Sequence, residues 1–225
     1  MRRIASFVPF IALAVIHIAA LACGAQQISG PTKWLLMPAL AIALFVNLPR
    51  RRAVVGLWAG LALLFSWIGD VLLGIPGGIG FIIGLGSFAL ARATYVVLFR
   101  GPLRRHRMPW YALLYVPWWI ALLVFLGPHL GDLLVPVGIY GAVLALSAAT
   151  ALGTNRVVAI GTLVFLLSDT VLAFKLFYPS FALVQQDAII MLGYLSGQGL
   201  IVLGTLRQVA ADVSRQNPLD VAGSR

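Results

Sequence analysis

Eight stretches of the chain are apolar over about the length of a membrane crossing, and short polar segments separate them. A transmembrane helix needs about 20 mainly apolar residues to cross ~30 Å of hydrocarbon. The pattern predicts helices near residues 4–23, 33–48, 53–73, 79–99, 110–127, 133–152, 156–177 and 187–206. We therefore predict an all-α polytopic membrane protein, an eight-transmembrane-helix bundle over residues 1–207 followed by a flexible cytoplasmic tail over 208–225.

Composition excludes a soluble domain. The chain is 61% hydrophobic and 10% charged, it contains no glutamate, and its mean hydropathy is +1.01. The first apolar stretch ends in AALAC, like a lipoprotein signal, but Ala20 stands where such a signal has leucine. We therefore interpret this stretch as an uncleaved transmembrane helix. Cys23 is the only cysteine, which excludes an intrachain disulfide.

The net charge of +10 follows the connections between the predicted helices. Arginines cluster before the first helix and after every second one, whereas the intervening loops carry almost none. These arginines are Arg2, Arg3, Arg50, Arg51, Arg52, Arg100, Arg104, Arg105, Arg107, Arg156, Arg207, Arg215 and Arg225. By the positive-inside rule both ends are cytoplasmic, and we expect a bacterial plasma membrane as the location. The basic clusters then contact anionic membrane lipids, and no nucleic-acid role is supported.

Two aspartates lie inside apolar segments with matching surroundings. Asp70 occurs in FSWIGDVLLG and Asp169 in VFLLSDTVLA, and Tyr95 and Tyr194 follow them at the same spacing. A carboxylate near the middle of the hydrocarbon costs about 2.5–3.5 kcal/mol, so two of them indicate acid–base chemistry or ion handling. The repeated spacing also favours two related four-helix halves, and chance similarity between aliphatic stretches is the alternative.

Further polar residues share helix faces with the two carboxyl groups or lie at their level. Ser66 precedes Asp70 by one turn, where its hydroxyl can hydrogen-bond the carboxyl group. Lys33 lies at the same level of the second helix, where its ammonium can hold one carboxylate ionised. The other candidates for a polar interior are Tyr140, Ser168, Tyr194 and Gln198. We expect both aspartates to open onto one cavity on the non-cytoplasmic side.

Several ionisable residues have interpretations that involve no catalysis. We interpret Lys33 and Lys175 as anchors whose ammonium groups reach the interface rather than as catalytic groups. Arg92, in the inner half of the fourth helix, suits a bond to a carbonyl group or a contact with cytoplasmic head groups. His17 and His129 have no partner at metal-ligand spacing, so we expect no metal site.

Several enzyme classes lack their motifs in this chain. There is no G-x-S-x-G elbow, no H-E-x-x-H pair and no phosphate-binding loop. An intramembrane aspartyl protease requires G-x-G-D, and Trp67 occupies the position of its first glycine.

Several segments together resemble the YhhN-type lysoplasmalogenase family. SWIGDVLL and GLGSFALA resemble its third and fourth helices, FLLSDTVLAF and GYLSGQGLI its seventh and eighth, and TKWLLMP the start of its second. Tyr140 matches a tyrosine of its sixth helix. The chain departs from the family pattern at Arg92, where a histidine is usual, and at Trp34, which replaces the proline after the lysine.

The resemblance implies hydrolysis of the vinyl ether bond of a lysoplasmalogen, which yields a fatty aldehyde and a glycerophospho-alcohol. One of Asp70 and Asp169 would donate a proton and the other would stabilise the cation and orient water, with no metal or organic cofactor. Lys33 would meet the lipid phosphate. The remaining polar candidates would hold the carboxyl groups, water or the glycerol portion, and they are Ser66, Tyr140, Ser168, Tyr194 and Gln198. The alternatives are a proton- or cation-coupled transporter that uses the same aspartates and a structural or regulatory membrane protein.

Overall fold

A computed structural model describes residues 5–75 and 78–216, and these residues contain helices and no strands. We number the α-helices in chain order. The helices are α1 (Val8–Ala22), α2 (Gln26–Asn47), α3 (Ala53–Leu72), α4 (Gly78–Arg100), α5 (Tyr115–Leu130), α6 (Leu134–Ala151), α7 (Arg156–Phe177) and α8 (Gln186–Gln216). Short 3₁₀ turns precede α3, α5 and α6. The prediction of an all-α protein is confirmed over these residues.

Six helical stretches of the described chain are long and apolar enough to cross a membrane. One of them, Trp110–Ala151, is 42 residues long and contains both α5 and α6, which meet at Gly131, where the backbone φ is +51°. The apolar helix α1 is shorter, with 15 residues. The integral membrane class is therefore confirmed, and the number of eight spans stays a prediction.

Two helix boundaries differ most from the sequence-based prediction. Helix α2 begins at Gln26, seven residues before the predicted start, and it includes Pro31 at its sixth position, so the Gly30–Pro31 step does not end it. Helix α8 continues to Gln216, so residues 208–216 are helical and the predicted tail is wrong there. The Gln208 side chain donates to Leu103 O at 2.5 Å, and Arg105 pairs with Asp212 at 2.5 Å, which dock this end on the bundle. Residues 217–225 lie outside the described chain.

Seven helices pack in a closed succession, each against the next, and α5 lies outside it. The order of neighbours is α1, α2, α3, α4, α6, α7, α8 and again α1, while α5 packs on α6 and α7. Glycines allow the closest approach, between α7 and α8. A Cβ atom at Gly161 would lie 2.9 Å from the Gly197 carbonyl oxygen, and one at Gly197 would lie 2.9 Å from that of Gly161. Without water to drive association, close packing of this kind holds helices together in lipid, beside hydrogen bonds between helices.

Candidate active site

Both membrane aspartates line one cavity of about 310 Å³, enclosed by the seven helices of the closed succession. The cavity lies towards the end of the bundle where α1 joins α2, α3 joins α4 and α7 joins α8. Its wall is mainly apolar, with Leu85, Phe88 and Leu172 among its members, and the same cavity is lined by Lys33, Tyr140 and Tyr194. Five of the eight predicted site residues therefore meet around one space. Their chemical roles stay predictions.

Asp70 is held by a cation and by a phenol. Its side chain is 6% exposed, Lys33 Nζ lies 3.7 Å from its Oδ1 atom, and the Tyr194 hydroxyl donates to Oδ2 at 2.6 Å. Both contacts stabilise the carboxylate form, by Coulomb attraction and by hydrogen bonding. The expectation that Lys33 lies beside one carboxylate is confirmed.

Asp169 has a different environment. The Tyr140 hydroxyl donates to its Oδ2 atom, and within the described chain no lysine or arginine nitrogen lies within 4.0 Å of its carboxyl group. The residue is half-buried, with its accessible surface facing the cavity that it lines. Burial in the apolar wall, the largest influence, favours the neutral acid, whereas the Tyr140 hydrogen bond and the charge of Arg92 favour the carboxylate. The two aspartates thus face one cavity with different partners: Asp70 has an ammonium and a phenol in contact, and Asp169 has a phenol alone.

Three predicted site residues do not line the cavity. Ser66 is fully buried, and its hydroxyl donates to Ala62 O at 2.9 Å and accepts from Gln198 Nε2 at 3.0 Å. The predicted bond from Ser66 to Asp70 is therefore wrong. Gln198 Oε1 accepts from the Tyr95 hydroxyl at 2.8 Å, which uses both ends of its amide. Ser168 donates to Ile190 O at 2.6 Å, across the contact between α7 and α8. All three polar groups join helices to each other.

Arg92 is buried in the bundle, with 1% of its surface exposed. Its guanidinium carbon lies 3.8 Å from the ring centre of Phe165 and 4.7 Å from that of Tyr95. Desolvated cation–π contacts of this kind are worth about 2 kcal/mol. The expected contact with a carbonyl group or with head groups is therefore wrong, because two aromatic faces receive the cation.

Trp67 fixes the spacing of the pair formed by Lys33 and Asp70. Pro38 has no N–H group, so the Trp34 carbonyl four residues before it lacks its helical donor. The Trp67 indole N–H donates to Trp34 O at 2.8 Å and so replaces the missing helical donor. The bond ties α2 to α3 next to Lys33 and one turn from Asp70. Sequence reasoning missed it, although Pro38 marks a free carbonyl group.

We predict that Trp67→Phe weakens this tie. The variant keeps an aromatic ring but leaves the Trp34 carbonyl without a donor, which costs about 1–3 kcal/mol of stability. We expect a lower melting temperature in detergent, measured beside Trp110→Phe, whose side chain is largely exposed. An equal effect of the two substitutions would contradict the role given to the indole N–H.

The chain matches one known family over most of its length. The model of the YhhN family matches residues 28–205, from α2 into α8, and this range includes both aspartates, Lys33, Tyr140 and Tyr194. No curated protein matches the chain, and no solved structure does.

Proposed function

The chain belongs to the YhhN family, the family of lysoplasmalogenases, and from this premise we propose that it hydrolyses the vinyl ether bond of a lysoplasmalogen. The products are a fatty aldehyde and a glycerophospho-alcohol. The observation that carries the proposal is the meeting of Asp70 and Asp169 in one apolar cavity, one with a cation beside it and one without. Two carboxyl groups whose environments differ in this way can divide the roles of acid and base.

The reaction begins with a proton from Asp169. Tyr140 donates to Asp169 Oδ2, which leaves Oδ1 to carry the acidic proton. This proton goes to the β-carbon of the vinyl ether, and the electrons of the double bond form the new C–H bond. The α-carbon and the ether oxygen then share the positive charge of an oxocarbenium ion. Positioned proton transfer of this kind contributes about 10²–10⁴ in rate.

Asp70 acts on the second half of the reaction. Its carboxylate, held by Lys33 and Tyr194, faces the cation and orients a water molecule towards the α-carbon. As the water attacks, Asp70 accepts its proton and a hemiacetal forms. The hemiacetal hydroxyl then returns a proton to Asp169, the C–O bond breaks, and Asp70 protonates the departing alcohol. Both carboxyl groups end in their starting forms.

The arrangement in the membrane completes the proposal. If the 42-residue stretch crosses twice and α1 crosses once, eight spans result and both ends of the chain lie on the cytoplasmic side. The cavity then opens towards the non-cytoplasmic leaflet, at the end of the bundle whose loops carry few arginines. A cavity of about 310 Å³ accommodates the glycerol part and the start of a single chain.

The test is aldehyde release by the purified protein in detergent from a 1-alkenyl lysophospholipid. In D₂O we expect one deuterium on the carbon next to the aldehyde, because the β-carbon receives a solvent-derived proton. In H₂¹⁸O we expect the glycerophospho-alcohol to stay unlabelled, because water attacks the alkenyl carbon. The 1-alkyl analogue has no double bond to protonate and serves as the control. Absence of aldehyde, with proton flux in liposomes that depends on both aspartates, would favour the transporter instead.

A further inference from the structure

A charged pair lies at the rim of the cavity, where α7 ends and α8 begins. Asp187 lines the cavity, its side chain is 57% exposed, and Lys175 Nζ bonds to its Oδ1 atom. Asp187 is in the first turn of α8, where the helix dipole favours a negative charge, and Lys175 is in the last turn of α7, where it favours a positive one. Both helix dipoles therefore stabilise the charges of this pair.

We propose that Asp187 and Lys175 form the head-group subsite, in which Asp187 binds the ammonium of a zwitterionic lysolipid and Lys175 its phosphate. The inference rests on the proposed function, because it places the vinyl ether bond between Asp70 and Asp169. It adds a specificity-determining carboxylate and a phosphate-binding lysine that the catalytic step does not use. A phosphate–ammonium head group has the same two charges as the pair and can lie beside it with unlike charges adjacent.

Distances along the helices support this assignment. Lys175 follows Asp169 by six residues of α7, about 9 Å along the axis, and Asp187 precedes Tyr194, the partner of Asp70, by seven residues of α8, about 10 Å. An extended chain advances roughly 1.2 Å per bond. Five bonds from the ether oxygen to phosphorus therefore span about 6 Å, and four more to the ammonium nitrogen bring the total to about 11 Å. The ammonium then reaches the level of Asp187.

Among the charged residues that line the cavity, Asp187 is the one available to bind the ammonium of the head group. Lys33 is already paired with Asp70, and the other acidic residue of the wall, Asp169, lies deeper and bonds to Tyr140. Asp187 keeps a second carboxylate oxygen beside the one that bonds to Lys175, since a carboxylate accepts at both oxygens. Lys175 likewise has three donors, of which the described contact uses one. The pair can therefore receive a head group without breaking.

The experiment compares two substrates that differ in one charge. These are a 1-alkenyl-glycerophosphoethanolamine and the corresponding 1-alkenyl-glycerol 3-phosphate, which lacks the ammonium. We expect Asp187→Asn to lower kcat/KM for the ethanolamine lipid about three- to tenfold, mainly through KM, with a smaller loss or a gain for the phosphate lipid. Lys175→Met should move the ratio of the two kcat/KM values in the opposite direction, because it removes the phosphate contact and keeps the carboxylate.

Two further variants separate recognition from folding. Asp187→Glu keeps the charge and should preserve the ratio, and Asp132→Asn removes an exposed acid from the connection between α5 and α6 and should leave it unchanged. A purely structural role of the ion pair would give Asp187→Asn and Lys175→Met the same ratio as the unaltered protein, which would overturn the inference. Turnover of neither substrate by the unaltered protein would overturn the proposed function itself.

Discussion

Asp169→Asn is expected to lower kcat for lysoplasmalogen hydrolysis by about 10²–10⁴, because it removes the proton that starts the reaction. Asparagine has nearly the same shape and still accepts a hydrogen bond from Tyr140, so the wall of the cavity keeps its form. Its amide cannot protonate carbon. The measurement is the rate of aldehyde release at saturating substrate, beside Asp132→Asn as the matched control.

The stability of this variant provides the check on its folding. Asp169 is neutral in the proposed resting state, so we expect a neutral amide of nearly the same shape to leave the melting temperature in detergent about equal. Lost turnover with unchanged stability would identify a chemical role for Asp169. Turnover within about threefold of the unaltered protein would contradict its role as the acid, since acid catalysis contributes at least about 10².

Asp70→Asn is expected to abolish turnover to a similar degree and also to destabilise the protein. The substitution leaves the Lys33 ammonium without its counterion at the cavity wall. Loss of one partner of a buried pair costs several kcal/mol, and because the Lys33 side chain is 28% exposed we expect about 1–3 kcal/mol here. The measurements are aldehyde release and the melting temperature of the same preparation.

The double variant Asp70→Asn/Lys33→Met separates the two effects. Removing the second charge should recover most of the lost stability, because no unpaired ion remains in the cavity. It should not recover turnover, because no carboxylate faces the cation or accepts the proton of water. A double variant that regains hydrolysis would contradict the role given to Asp70, and one as unstable as Asp70→Asn alone would contradict the importance of the ion pair.

The two aspartates could be found from the sequence because the desolvation penalty of each carboxyl group depends on the apolar segment that carries it. A carboxyl group within an apolar helix carries its desolvation penalty whatever lies beside it, so Asp70 and Asp169 stand out in a one-dimensional reading. The predicted topology placed Lys33 at their level, at the start of the second helix. Helical spacing was a poorer guide to partners. It put Ser66 on the face of Asp70, but the hydroxyl donates to the Ala62 carbonyl one turn earlier in α3 and accepts from Gln198 of α8.

The sequence by itself determined the helical membrane class, most helix boundaries and the two intramembrane carboxyl groups, because these follow from local hydropathy and desolvation. Only the tertiary structure decided which side chains form hydrogen bonds with each other. Tyr95 and Tyr194 follow the aspartates at equal spacing, yet Tyr194 bonds to Asp70, Tyr140 to Asp169, and Tyr95 to Gln198. These pairings depend on which helices become neighbours and at what depth. Close packing sets both, and it acts between segments far apart in the chain.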